Sequence, residues 1–78
     1  PNAIDRHVAS RLRLRRREAG ITQVMLAQVL GISFQQVQKY EEGTNRISAG
    51  ALYQLAITLE APVQYFFDGL SGRRKKRG

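Results

Sequence analysis

Read for the spacing of apolar positions, the chain divides into five segments separated by glycine or polar breaks. Ile4, Val8, Leu12 and Ala19 share one face of a first helix, which Asp5 can cap and Gly20 ends. Arg15 falls on that stripe, so either its aliphatic stem packs while its head reaches water, or the helix is rotated slightly. Leu14 lies on the far side. Leu26, Ala27 and Leu30 share one face of a second helix with Thr22 as its cap, and Val37 and Tyr40 share a face of a third with Ser33 as its cap. Ser33-Phe34-Gln35-Gln36 also fits a capping box in which Gln36 reaches back to the cap. Gly31 stands where a chain leaving a helix needs positive φ. Ile32 plugs the corner beside it, and the small Ala27 lets the two axes approach. A fourth helix is expected over about 49–59, capped by Ser48, with Leu52, Leu55, Ala56 and Leu59 as its buried stripe. Pro62 suits the first turn of a short fifth helix, anchored by Val63, Phe66 and Phe67 and ended at Asp68-Gly69. No stretch alternates as a strand would.

The two short helices within Thr22–Tyr40, with their tight turn, have the layout of a helix-turn-helix, a DNA-reading device; a plain helical hairpin is the other reading. With 78 residues and 42% apolar content, the chain has the material for one small core. The expected organisation is a flexible arm over 1–4, a domain over 5–70 and a disordered basic tail over 71–78. A chain that begins with Pro rather than Met is read as shortened at its start. Without cysteine there is neither a disulfide framework nor a thiolate metal site, and His7 alone makes no zinc site. No metal or other cofactor is expected. No apolar run approaches the ~20 residues of a bilayer span and no signal peptide is visible, so a cytoplasmic protein without a membrane partner is expected.

The net charge of +7 suggests an anionic partner. Its distribution tempers that inference. Five of the 13 basic residues lie in the tail, Arg73 to Arg77, and setting them aside leaves eight basic against six acidic residues. Arg6, Arg11, Arg13, Arg15, Arg16 and Arg17 make the first helix the basic side of the domain, either as a solvated face or as a phosphate-contacting one. No glycine-rich phosphate loop or carboxylate cluster points to catalysis, and Asp5 is better used as a cap, so no enzyme is expected.

Thr22-Gln23, Leu26-Ala27, Leu30-Gly31-Ile32-Ser33, Val37, Tyr40-Glu41 and Gly43, followed by Ser48 and Leu52 to Leu59, resemble the phage repressor and Cro type of helix-turn-helix regulator. This family is also called xenobiotic-response-element-like, and the resemblance covers roughly residues 8 to 68. It implies an all-α, compact five-helix, lambda-repressor-like domain that binds palindromic operator DNA as a homodimer on the bacterial or phage nucleoid. The third helix, Ser33 to about Glu42, would enter the major groove and act as part of a transcription regulator, most simply a repressor. Phe34, Gln35, Gln38 and Lys39 point away from Val37 and Tyr40, with Ser33 at the helix start. These five are the expected base contacts: Gln can pair with adenine, Lys reaches guanine acceptors, and Phe34 packs on a thymine methyl. Gln23, Asn45 and Arg46 match family positions that hold phosphates. Arg16 and Glu41 match a pair that forms an internal salt bridge between the first and third helices.

The chain departs from the family in two places. Arg15 replaces an apolar residue. Val24, Met25 and Val29 stand where the second helix is more often polar, and Met25 and Val29 fall opposite its buried face. That exposed apolar pair keeps a second function open, a protein-interaction module such as an antitoxin built on the same fold. The region near Tyr65 to Leu70 is the expected dimer contact, by analogy with the family.

Overall fold

Each helix starts where a short polar side chain takes up a free backbone N–H. Asn2 Oδ1 accepts from Asp5 N at 3.0 Å, Thr22 Oγ from Met25 N at 3.1 Å, Ser33 Oγ from Gln36 N at 3.0 Å and Ser48 Oγ from Ala51 N at 3.1 Å. In the computed structural model, which describes residues 2–70, these caps open α1 (Ala3–Glu18), α2 (Gln23–Leu30), α3 (Phe34–Glu42) and α4 (Ala49–Thr58). A single 3-10 turn, Val63–Phe67, follows, and no strand occurs among the described residues.

The first helix begins earlier than the sequence suggests. Its cap is Asn2, and Asp5 sits three residues on, returning a bond to Asn2 N at 2.9 Å in a reciprocal capping box. Ala3 and Ile4, expected in the arm, are therefore helical. At Ser33 only the forward half of the box forms. The expected tail, 71–78, lies outside the described residues.

The core is built from Leu12, Leu26, Val37, Leu55, Leu59 and Phe66, all essentially without exposure. Burying each contributes about 1.5–3 kcal/mol before the entropy of ordering the chain is set against it. Val8, Ala9, Ala27, Leu52 and Ala56 complete it. All four residues of the stripe expected on the fourth helix are buried. On α1 the buried face is Val8, Ala9 and Leu12, whereas Ile4 is 51% exposed and Ala19, the C-cap, is exposed. The fifth segment is the 3-10 turn rather than an α-helix. Five residues between Pro62 and Asp68, most of them aromatic or β-branched, are too few and too poor in helix propensity to propagate one. Pro62 is extended just before the turn rather than inside it, and of the three expected anchors only Phe66 is buried.

One flank of α1 holds this C-terminal segment. His7 Nε2 donates to Asp68 O at 2.6 Å, Arg11 Nε to Tyr65 O at 2.9 Å and Arg15 Nε to Leu59 O at 2.8 Å. The i, i+4, i+8 spacing aligns the three side chains; the Tyr65 carbonyl also accepts from Asp68 N at 3.3 Å, whereas the side chains are the partners of the Leu59 and Asp68 carbonyls. The Arg11 guanidinium also stands 3.9 Å from the Tyr65 ring centroid. Burial pushes the Tyr65 phenol above its ordinary value against the opposing pull of Arg11, and its hydroxyl donates to Glu18.

Candidate nucleic-acid interface

The turn between α2 and α3 is set by two backbone bonds. Ile32 N donates to Ala27 O at 3.1 Å and Gly31 N to Gln28 O at 3.3 Å, the paired closure of a Schellman motif, which requires Gly31 at φ 70. Ile32 then packs against the core beside Leu30 and Tyr40. The same closure ends α3, with Thr44 N on Lys39 O and Gly43 N on Tyr40 O. Gly43 also sits close against α1: a Cβ there would stand a tight 3.3 Å from Arg6 Cγ and 3.4 Å from its Cα. The start, end and axis of α3 are thus fixed by local hydrogen bonds and by contact with α1.

A buried polar cluster locks α3 to the other two helices of this face. Arg16 grips Glu41 with two donors, Nε to Oε2 at 2.5 Å and Nη2 to Oε1 at 3.1 Å, and its third, Nη1, caps Ile21 O at 2.8 Å. Gln23 Nε2 donates to Glu41 Oε1 at 2.9 Å. The Glu41 side chain is only 2% exposed, so these donors compensate a carboxylate that water does not reach. The tie from Gln23 to Glu41 escapes sequence reasoning, because a family match suggests a phosphate ligand at Gln23 and nothing in its spacing points to a residue on α3. One Gln23 amide hydrogen is engaged in this way, which leaves the second available.

The outward face of α3 carries Gln35, Lys39 and Glu42 in solvent, Gln38 half-buried, and Phe34 at its first turn with 37% exposure. Ser33 is exposed, with its hydroxyl oxygen occupied as the cap. In the following loop Asn45 is exposed, and Arg46 pairs with Asp5 at 3.2 Å while two-thirds of its side chain remains in solvent. The bond from Asn2 N, followed by Arg46, holds the Asp5 carboxyl below its usual value.

The six arginines of α1 do not form one basic surface. Arg11, Arg15 and Arg16 are half-buried and turned inward onto carbonyls and carboxylates, whereas Arg6, Arg13 and Arg17 are exposed. Arg15 is half-buried, and its head bonds Leu59 O and pairs with Glu18 at 3.6 Å instead of simply reaching out into solvent. The missed signal was periodic. His7, Arg11 and Arg15 run along the border of the apolar stripe, where a polar head can still find backbone.

Two capped helices about a left-handed glycine, with the second helix presenting polar side chains outward, define a helix-turn-helix protein. Residues 12–66 match the helix-turn-helix family HTH_3, and the chain belongs to it. The chain is 51% identical over 72 residues to an HTH-type transcriptional regulator of Sinorhizobium medicae, covering 92% of this chain and 52% of the relative. It is 51% identical over 67 residues to a transcriptional regulator in the ATPase CF(0) region of Rhodospirillum rubrum, covering 86% and 62%. The chain thus spans about half the length of the first of these relatives. The crystal structure of the restriction-modification controller protein C.AhdI of Aeromonas hydrophila superposes with a TM-score of 0.78 at 27% identity, over 85% of this chain and all of the other. The family is one of transcription regulators and not of enzymes. Among the described residues no helix is long and apolar enough to cross a membrane.

Proposed function

We propose that the chain binds operator DNA sequence-specifically as a transcription regulator, with α3 in the major groove. The observation that carries this reading is the rigidly held α3, which turns Gln35 and Lys39 into solvent while caps, Gly43 and the Arg16–Glu41–Gln23 cluster fix its axis. Preorganised side chains on a fixed helix are what base readout needs, since bidentate pairing tolerates little angular error. Ser33, Phe34, Gln35, Gln38 and Lys39 are the base-contacting set. Gln23, Asn45 and Arg46 hold phosphates at either end and set the register. Repression by occupancy is the simplest outcome. A homodimer on a palindrome would supply the affinity that one short helix lacks. Selection of bound duplexes from a random library tests all of this. Enrichment of a palindrome supports both readout and pairing, and recovery of no motif overturns sequence-specific binding.

One observation favours a second reading, in which the fold docks a protein. Val24, Met25 and Val29 on α2 are 50%, 47% and 68% exposed, an apolar group on a helix whose other face is buried. Changing Met25 and Val29 to Gln would leave DNA affinity intact under the first reading and weaken a protein complex under the second.

A further inference from the structure

Of the eight basic residues in the described part of the chain, four are engaged in ion pairs: Arg11 with Asp68, Arg15 with Glu18, Arg16 with Glu41 and Arg46 with Asp5. The other four are Arg6, Arg13, Arg17 and Lys39, and none of these makes an ion pair or a side-chain hydrogen bond among the described residues. Three of the four lie on α1 at positions i, i+7 and i+11, which a helix brings to one flank. That flank is opposite the one carrying His7, Arg11 and Arg15 onto the C-terminal segment.

Its neighbours are the elements of the DNA-reading face. Arg6 packs on Gly43 where α3 ends, Asp5 beside it in the first turn of α1 receives Arg46, and Arg16 on the adjoining face holds Glu41 and so Gln23. Arg13 and Arg17 rim a shallow surface hollow with Ser10 and Leu14. We infer that Arg6, Arg13 and Arg17 form a second phosphate-binding edge, which lies along the DNA backbone while α3 occupies the groove. The inference rests on the proposed DNA-binding function. Charge complementarity selects the occupant: the flank offers three guanidinium groups without an ion pair among the described residues over roughly 16 Å of helix, and duplex DNA presents about one negative charge per 1.7 Å of axis. Arginine suits the task because its planar fork meets phosphate oxygens in pairs.

The test is a salt titration of the whole chain on its selected operator and on unrelated duplex. Arg6 is left unaltered because it packs against Gly43. The Arg13→Ala, Arg17→Ala double variant should keep its helical circular dichroism and melting temperature. It should lose affinity on both DNAs by a similar factor, at least about tenfold at ~0.1 M salt, and its slope of log K against log [salt] should be shallower by roughly 1.8. Arg13→Lys with Arg17→Lys should restore most of the slope. An unchanged slope in the alanine variant, with the parent chain binding its operator, overturns the edge and leaves the flank to an acidic protein partner. Loss on the operator alone would also overturn it, since phosphate contacts do not discriminate sequence. If the parent chain binds neither DNA, the underlying function falls as well.

Discussion

Glu41 is a carboxylate almost sealed from water, and the side chains that bond it come from two other helices. Removing a partner of such a group leaves an uncompensated charge, which is worse than never having buried the pair. Arg16→Ala should therefore destabilise the domain by about 3–5 kcal/mol, read as a fall in the urea midpoint with unchanged m-value. Arg16→Lys should recover only part of it, because an ammonium cannot reproduce the two-donor grip. The opposite sign is expected at Glu60. It closes α4 as Gly20, Gly31 and Gly43 close the other helices, at φ 54, but carries a side chain in that left-handed region. Glu60→Gly should stabilise by about 0.5–1 kcal/mol, the relieved backbone strain exceeding the extra freedom that glycine has when unfolded, as a thermal melt would show. At this scale the sequence was legible wherever the partner is local. Thr22, Ser33 and Ser48 cap N–H groups three residues away, and Gly31 closes its own turn. It was silent where the partner is a distant backbone carbonyl, as for Arg15 on Leu59 or His7 on Asp68, because carbonyls carry no sequence signature.

At the scale of the elements, the start of α1 shows how two acceptable caps compete. Asn2 and Asp5 are both good cap residues, and the reciprocal pairing of the two stabilises the earlier start. The Asp5 carboxylate is bonded by Asn2 N and Arg46, so its folded pKa is depressed below the usual 3.8. Its contribution is present above that value and is lost as pH falls through the depressed folded one. Asp5→Asn should thus be less stable than the parent at neutral pH, with the difference closing below pH ~3.8. Superimposable acid-melting curves would remove the carboxylate from the account. Gly50 offers the converse test within α4. It is helical and exposed, and an added Cβ would meet nothing within 4 Å, so Gly50→Ala should raise stability by about 0.5–1 kcal/mol in denaturant titration. Element type was legible for α2 and α3 because each has a cap, a period and a glycine stop, and for α4 because it has a cap and a period. The last segment lacks the length to express a helical period, its aromatic and β-branched composition gives little helix propensity, and its contact with α1 through Arg11 has no signature in its own sequence.

For the whole molecule the question is whether α3 reads bases or merely lies against DNA, and two residues with different geometry separate these. Gln35 stands free in the first turn of α3, with an amide that can donate to one base atom and accept from another. Gln35→Ala should weaken binding to the selected operator by about 1–3 kcal/mol, relax preference at one position per half-site and leave unrelated DNA nearly unaffected. Arg46 is tethered through Asp5 to α1 with most of its side chain in solvent, which suits a phosphate ligand held in place by the protein. Arg46→Ala should weaken both DNAs alike and reduce the salt slope by about one. Asp5→Asn serves as the control here. It removes the charge that tethers Arg46 and keeps the arginine, so it should retain most of the slope and separate loss of the phosphate contact from loosening of α1. Titrating the three variants against both duplexes at two salt concentrations gives a pattern that a passive helix cannot reproduce. Equal losses on both DNAs for Gln35→Ala would mean that α3 does not read through that residue. Unaltered binding across changes at Phe34, Gln35, Gln38 and Lys39 would move the functional face from α3 to the exposed apolar side of α2.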